Sequence, residues 1–171
     1  MGGKYQGDGS SRRWVKEGGL KEITEIHPGQ RVIGDIIYSS SLGCTLDRCA
    51  LTVLTTVVST SHPTCVVIDA GFKALGGESI IGCREVPGFF WNGMPSFGSI
   101  QGRNDLWLGR VGAESGLVYY KENAQKLTLG ERLQIVPNSA SLVLNIHDKA
   151  YGVRNGKIER EFAISGRGRG T

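Results

Sequence analysis

The sequence CALTVLTTVVST at Cys49–Thr60 indicates the fold more strongly than any other stretch of the chain. Most of its side chains branch at Cβ, which disfavours a helix and suits a pleated strand. A turn at His62-Pro63 follows, and the next segment, TCVVID at Thr64–Asp69, has the same character. The two segments therefore predict a pair of antiparallel strands.

Further short strands are predicted on both sides of this pair. They lie at Arg31–Tyr38, Leu106–Val111, Gly116–Tyr120, Arg132–Val136, Ser141–Ile146, Lys149–Arg154 and Lys157–Ile164. Asn155-Gly156 joins the last two, and this dipeptide accepts the positive φ angles of a type I′ turn, which predicts a tight hairpin. With roughly ten short strands, and helix confined to the N-terminal arm or to Gly71–Gly102, the predicted class is all-β, as one β-barrel-like domain.

The composition sets limits on the class of protein. Glycine accounts for 26 of the 171 residues, about twice the usual share of ~7%. The glycines follow no G-X-Y period, which excludes collagen, and a hydrophobic content of 39% excludes a disordered chain. We expect a polar arm at residues 1–24 and the barrel domain at residues 25–171, with a long glycine-rich loop at Gly71–Gly102.

The charges and cysteines favour a cytoplasmic protein. The net charge of +4 is spread over the chain, so the basic tail at Arg167–Arg169 is interpreted as a solvated terminus and no nucleic-acid partner is expected. No apolar run reaches the ~18 residues that span a bilayer, and no secretory leader is recognised. The cysteines, Cys44, Cys49, Cys65 and Cys83, lack the spacing of a metal cage, so we expect reduced thiols and no disulfide needed for folding.

Three residues are candidates for lining a pocket. Asp69 and Lys73 stand where a predicted strand ends, and strand ends are places at which a scaffold presents polar groups. Lys73 would need a desolvated environment for Schiff-base chemistry, so an ion pair is its more ordinary role. Tyr38 either lines the same pocket or is an interfacial aromatic residue. The three histidines of the chain stand at turns or at the end of a predicted strand, which favours structural roles.

Six segments between Glu25 and Arg169 form a recognisable series. They are IHPGQRVIGDIIY (Ile26–Tyr38), ALTVLTTVV (Ala50–Val58), VIDAGFKAL (Val67–Leu75), GERLQIVPN (Gly130–Asn138), LNIHDKAYGV (Leu144–Val153) and ISGRGR (Ile164–Arg169). In order and spacing, the series resembles the C-terminal β domain of the D-threonine aldolase / D-serine dehydratase family. That resemblance implies a relation to alanine-racemase-like lyases of fold type III, which use pyridoxal phosphate with zinc or manganese. In the family the cofactor lysine lies on a preceding (β/α)8 barrel, for which this chain has no room.

The resemblance is incomplete where the family binds its metal. In the family, Pro-Asn is followed by His-x-Cys or His-x-Asp, whose outer residues are the ligands. Here Pro137-Asn138 is followed by Ser139-Ala140-Ser141, and neutral hydroxyls do not replace an imidazole and a thiolate or carboxylate. A second family segment, Glu-Glu-His-Gly, appears as Ala113-Glu114-Ser115-Gly116. We therefore expect no metal site, with Ser139 and Ser141 at the positions of lost ligands, and no cofactor in the isolated chain.

Two functional hypotheses follow from this combination. The first is a free-standing, non-catalytic β domain that binds a small molecule or a protein. The second is an accessory part of a two-chain pyridoxal-phosphate lyase acting on D-amino acids, with the barrel on a separate chain; a truncated gene product is a third interpretation. The expected protein partner is a second copy of this chain or the barrel chain. The expected pocket is formed by Tyr38, Asp69, Lys73, Ser139 and Ser141, which suit a small polar ligand.

Overall fold

The computed structural model describes residues 3–5, 23–26, 29, 32–40, 44–77 and 89–169 of the chain. The strands in these residues are β1 (Gly3–Tyr5), β2 (Ile23–Ile26), β3 (Val53–Ser59), β4 (Cys65–Ile68), β5 (Phe90–Trp91), β6 (Met94–Pro95), β7 (Gly98–Ile100), β8 (Leu106–Val111), β9 (Gly116–Tyr120), β10 (Arg132–Pro137), β11 (Lys149–Arg154) and β12 (Lys157–Ala163). The helices are α1 (Ile36–Ser40), α2 (Phe72–Leu75) and α3 (Ala140–Ile146), with a short 3-10 turn at Leu46–Arg48. The predicted all-β class is confirmed.

Six of the strands form a nearly closed barrel. They hydrogen-bond in the order β7-β10-β3-β4-β9-β8, and every pair in this series is antiparallel. The two outer strands of the series approach each other, because the backbone N–H of Phe97 donates to the carbonyl of Leu108 at 3.0 Å. The hydroxyl of Ser96 adds a second bond to the same carbonyl at 3.0 Å. Closure removes the free edges that an open sheet would expose.

The interior of the barrel is the main hydrophobic core. Along β3, Val53, Thr55 and Val57 are buried, whereas Leu54 and Val58 are exposed and Thr56 is half-buried. This alternation has the period of two that a half-buried strand requires. Other inward residues of the same core come from β4, β8, β9 and β10 and include Ile68, Leu108, Val118 and Ile135.

The hairpin of β11 and β12 lies beside the barrel rather than within its sheet. Its turn residues, Asn155 and Gly156, have φ angles of 52° and 74°, as the predicted tight turn requires. The predicted hairpin is therefore confirmed. The exposed apolar side chains on it include Val153 and Ile158, which are 62% and 66% exposed.

Two predicted strands are wrong. Arg31–Tyr38 leads into helix α1, and Ser141–Ile146 lies within helix α3. At α1 the carboxylate of Asp35 accepts the backbone N–H of Tyr38 at 2.7 Å, which is the bond of a helix N-cap. In α3, Ala140 and Val143 are both buried, a spacing of three that one face of a helix provides.

The prediction that helix is confined to the arm or to Gly71–Gly102 is also wrong, because α1 and α3 lie outside both segments. Gly71–Gly102 contains α2 and the short strands β5, β6 and β7, and its residues 78–88 lie outside the described part of the chain. Within the predicted arm, β1 pairs with β2 in parallel, and residues 6–22 are likewise outside the described ranges. None of the helices in the described residues has the length and apolar character needed to cross a membrane.

Candidate functional site

The strand register brings the ends of β4 and β10, after which four of the predicted pocket residues lie, to one end of the barrel. Near the end of β10, Ile135 lies opposite Val53, the first residue of β3. Ile68, the last residue of β4, lies opposite Gly116, the first residue of β9. Because antiparallel neighbours run in opposite directions, β10 and β4 end where β3 and β9 begin. We call this the α3 end of the barrel, since α3 follows β10 there.

A buried aspartate joins two segments at the α3 end. Asp35 is 0% exposed, and its Oδ1 accepts the backbone N–H of Tyr38 at 2.7 Å. Its Oδ2 accepts the backbone N–H of Ala140, the first residue of α3, at 2.8 Å. The backbone N–H of Ile37 also donates to the carbonyl of Asn138 at 3.2 Å. One carboxylate thus fixes the start of α1 against the start of α3.

The two serines at the start of α3 interact with each other. The Oγ atoms of Ser139 and Ser141 lie 3.1 Å apart, within hydrogen-bonding distance. Ser139 is only 3% exposed, whereas Ser141 is exposed to solvent. The pair therefore presents one accessible hydroxyl that is oriented by a buried one.

Asp69 is held where β4 ends. Its Oδ1 accepts the hydroxyl of Thr55 at 2.6 Å and the backbone N–H of Thr56 at 2.8 Å. Partial burial acts to raise the pKa of Asp69, but the hydrogen bonds from Thr55 and Thr56 together outweigh it and lower the pKa below its ordinary value. The carboxylate is therefore ionised and fixed in orientation at neutral pH.

Lys73 forms an ion pair across the same end of the barrel. Its Nζ lies 2.6 Å from Oε1 of Glu114, and the two side chains are 70% and 76% exposed. The hydrogen bond from Lys73 and its positive charge lower the pKa of Glu114. The backbone N–H of Lys73 also donates to the carbonyl of Ala113 at 3.0 Å, so α2 is anchored to this turn.

The structure groups the five predicted pocket residues into two sets. Tyr38, Ser139 and Ser141 belong to the two segments that Asp35 joins. Asp69 and Lys73 have separate partners, on β3 and at Glu114. Helix α2 connects the sets because it packs on α3: the imidazole Nε2 of His147 lies 3.0 Å from the carbonyl oxygen of Ala74.

The histidines contribute little to this arrangement of polar groups. His147 joins α3 to α2, and the Nδ1 of His62 hydrogen-bonds to Thr64 within a turn. Both contacts are structural, which is the role that the sequence predicts for these histidines. His27 lies outside the described residues.

Asp35 is the functional-site residue that sequence reasoning missed. The available signal was its position after Gly34 and before an apolar pair, since aspartate is a preferred N-cap residue. The β-branched residues that follow it favoured a strand instead. Its bond to Ala140 joins residues 105 positions apart, which no local pattern encodes.

The donor atoms at the start of α3 do not fit a divalent metal. The hydroxyls of Ser139 and Ser141 are neutral and already bonded to each other, whereas zinc and manganese sites use imidazole, thiolate or carboxylate ligands. Within the described ranges, no cluster of three or more His, Cys, Asp or Glu side chains could hold a metal ion. This end of the barrel presents to solvent the ammonium group of Lys73, the carboxylates of Asp69 and Glu114 and the hydroxyl of Ser141, while the carboxylate of Asp35 is buried.

Comparison with known proteins gives relatives of one kind. The family model described as "Putative serine dehydratase domain" matches residues 50–153. The chain is 34% identical over 121 residues to a 3-hydroxy-D-aspartate aldolase of Paracoccus denitrificans and 33% identical over 119 residues to a D-threonine aldolase of Arthrobacter sp.. The matched segments cover 71% and 70% of this chain but 27% of each relative, so the chain spans about a quarter of their length.

Two solved structures show the same fold. One is a D-threonine aldolase from Filomicrobium marinum, with a TM-score of 0.74 and 24% identity, matched over 98% of this chain and 42% of that one. The other is a D-threo-3-hydroxyaspartate dehydratase from Delftia sp. HT23, with a TM-score of 0.67 and 22% identity, matched over 82% of this chain and 38% of that one.

Proposed function

Since the chain belongs to the D-threonine aldolase / D-serine dehydratase family, as its C-terminal β domain, we propose that it is a non-catalytic domain that binds a small polar ligand. The binding site in this proposal is the α3 end of the barrel. The observation that carries it is the hydroxyl pair of Ser139 and Ser141, which stands where the family resemblance places the metal ligands. The scaffold is kept, and the side chains that would hold the metal are replaced.

The polar groups at the α3 end of the barrel indicate the class of ligand. Asp69 supplies an ionised carboxylate, Lys73 an exposed ammonium group and Ser141 an accessible hydroxyl. A ligand carboxylate can replace Glu114 as the partner of Lys73, because an exposed ion pair stabilises a protein by only about 0–1 kcal/mol. An amino acid or a hydroxy acid has the complementary groups.

Lys73 is poorly suited to covalent attachment of an aldehyde cofactor. A Schiff-base lysine is activated by desolvation in an apolar pocket or by a neighbouring cation. Lys73 is instead exposed and paired with a carboxylate. The residues at the α3 end of the barrel therefore support reversible binding rather than covalent attachment of pyridoxal phosphate.

A thermal-shift titration tests the proposal. D-serine, D-threonine and 3-hydroxy acids should each be added to the chain and to two lysine variants, Lys73→Ala and Lys157→Ala. A ligand at ten times its Kd stabilises the folded state by about 1.4 kcal/mol, which raises Tm by about 3–6 °C in a chain of this size. We expect this rise in the wild type and in Lys157→Ala, whose lysine lies on the hairpin, and its loss in Lys73→Ala.

A different pattern would contradict binding at the α3 end. No rise with any of these compounds would remove the basis for a small-ligand site of this class. A rise that survives Lys73→Ala but disappears on changing Arg167 and Arg169 would place the binding on the basic tail, and would favour an anionic polymer as the partner.

The second candidate is an accessory domain that completes a pyridoxal-phosphate lyase whose cofactor is carried by another chain. The observation that favours it is the β11–β12 hairpin, because apolar side chains as exposed as Val153 and Ile158 are suited to burial against a second chain. That chain would be a separate barrel chain. Incubation of this chain with pyridoxal phosphate, borohydride reduction and mass analysis test the non-catalytic proposal. A cofactor adduct on Lys73 would overturn it, because this chain would then hold the cofactor itself.

A further inference from the structure

We propose that Cys44 and Cys49 form a redox-active pair that is converted to a disulfide by hydrogen peroxide. Their Sγ atoms lie 3.9 Å apart. The hydroxyl of Ser39 contacts both sulfurs, at 3.6 Å from Cys44 and 3.4 Å from Cys49. Disulfide formation requires the two sulfurs to approach from this distance to the bonded distance of about 2.05 Å. This inference concerns the thiols alone and is independent of which ligand the α3 end binds.

The two thiols differ in environment, and the difference assigns their roles. Cys49 is 5% exposed, and burial, with the neighbouring Cys44 as a smaller contribution, raises its pKa to about 11 despite the hydrogen bond from Ser39. Cys44 is half-buried and therefore more accessible to a small oxidant. Since the thiolate is the reactive form and Cys49 is held as a thiol, Cys44 is the thiol that is oxidised first.

The reaction is balanced with one equivalent of peroxide. The Cys44 thiolate attacks one peroxide oxygen, so that a sulfenic acid forms and hydroxide leaves, taking up the proton that the thiol lost. The sulfur of Cys49 then attacks the Cys44 sulfur, and the sulfenic hydroxide leaves as water with the Cys49 proton. Two thiols and one peroxide thus give one disulfide and two waters. A thiol reductant reverses the change.

The pair lies against the segment that orders the α3 end. The Sγ of Cys49 contacts the carbonyl oxygen of Asp35 at 3.7 Å, and Asp35 holds the starts of α1 and α3. The 3-10 turn at Leu46–Arg48 lies between the two cysteines and brings them back towards each other. A disulfide here would close a short loop that contains this turn and would hold the turn next to Asp35.

Peptide mapping tests the proposal, because the chain has a trypsin site between the two cysteines. Cleavage after Arg31, Arg48 and Lys73 releases residues 32–48, which contain Cys44 alone, and residues 49–73, which contain Cys49 and Cys65. The folded chain is treated with peroxide, alkylated without reduction and digested. We expect the two peptides to be joined, with a mass about 2 Da below their sum for the two hydrogens lost, and to separate on reduction.

Variants assign the bond and serve as controls. Cys44→Ser should abolish the joined peptides, whereas Cys65→Ser should retain them, which assigns the bond within residues 49–73 to Cys49. Cys83→Ser is the control for the remaining cysteine and should also retain them. Three results would each overturn the proposal. The first is full alkylation of both thiols after peroxide, the second is a cross-link to Cys65 or Cys83, and the third is over-oxidation of Cys44 without a cross-link. If Cys65→Ser fails to fold, fragmentation of the joined wild-type peptides by tandem mass spectrometry assigns the bond to Cys49 or to Cys65, and a bond to Cys65 would overturn the proposal.

Discussion

The carboxylate of Asp35 connects two helix starts that are far apart in the sequence. It is fully buried and accepts backbone N–H groups from Tyr38 and Ala140. Hydrogen bonds to a charged group contribute more than neutral ones, and a buried donor left without its acceptor is costly. We therefore expect Asp35→Ala to lower the free energy of unfolding by about 2–4 kcal/mol, as measured by urea denaturation.

The matched variant for this measurement is Asp35→Asn, which keeps one carbonyl oxygen and nearly the same volume. It should be destabilised less than Asp35→Ala because one of the two N–H groups retains an acceptor. A change below about 0.5 kcal/mol for Asp35→Ala, the range of ordinary surface substitutions, would show that the carboxylate does not fix the two helix starts.

Asp69 makes stability depend on pH in a defined direction. The bonds from Thr55 and Thr56 lower its pKa in the folded state from the ordinary value of 3.8. A group with a lowered folded pKa stabilises the protein above its unfolded pKa, and that stabilisation is lost as the pH falls through the folded pKa. Asp69→Asn should therefore be less stable than the wild type at neutral pH, with a difference that shrinks below about pH 4.

Urea denaturation of both proteins across this pH range measures the effect of Asp69. Asp148→Asn is a suitable control, since its carboxylate is exposed and paired with Arg167 on the outer hairpin side. A difference between wild type and Asp69→Asn that stays constant from pH 7 to about pH 3 would contradict the role given to the Thr55 and Thr56 bonds.

Helix α3 is the element in which local sequence preference and tertiary structure disagree. Its residues predict a strand, yet Ala140 and Val143 are buried on one face of a helix, and Leu142 is 37% exposed. We expect Val143→Ala to cost about 2 kcal/mol, from two buried methylene equivalents and the space left behind. Leu142→Ala removes more atoms from a more exposed site and should cost less.

If residues 140–146 formed a strand, Val143→Ala and Leu142→Ala would differ from this expectation in how much each destabilises the protein. The two variants together therefore test whether α3 is a helix. Adjacent residues of a strand point to opposite faces, but the buried spacing of Ala140 and Val143 requires a helix. If Leu142→Ala were the more destabilising of the two in urea denaturation, the face assigned to α3 would be wrong.

The sequence predicts some helices and strands more accurately than others, and the reasons are physical. Strands β8, β9 and β11 have the predicted bounds, because their β-branched, aromatic and turn residues agree with their final environment. Helices α1 and α3 were not foreseen, because the contact that favours them, Asp35 to Ala140, is long-range. Local preference loses to tertiary contacts in such segments.

At the scale of the whole molecule, the central antiparallel pair follows from the sequence better than the closure of the barrel does. The antiparallel pair of β3 and β4 was predicted, whereas β7, which helps to close the barrel, lies in the segment interpreted as a loop. Gly98 and Ser99 have weak strand preference, and the pairing of this short segment with β10 supplies the missing stabilisation.

The same topology explains why the candidate site was only partly predictable. Four of the predicted pocket residues follow the ends of β4 and β10, which the register places at one end of the barrel: Asp69, Lys73, Ser139 and Ser141. Tyr38 lies in a helix where a strand is predicted, and the bond from Ile37 to Asn138 brings its segment to the same end. The hydrogen-bond partners of these residues, including Glu114 for Lys73, depend on loop geometry that residue patterns do not specify. The sequence thus predicts candidate residues, and the fold determines the contacts that each one makes.

The central claim is that hydroxyls have replaced metal ligands on a family scaffold, and metal content tests it most directly. Zinc and manganese should be measured after equilibrium dialysis of the wild type, of Ser139→His with Ser141→Asp, and of Ser139→His with Ser141→Asn as the matched control. We expect substoichiometric metal in the wild type, binding in the variant with imidazole and carboxylate, and weaker binding in the amide control, with folding checked by circular dichroism. One tightly held equivalent of metal in the wild type would contradict the claim.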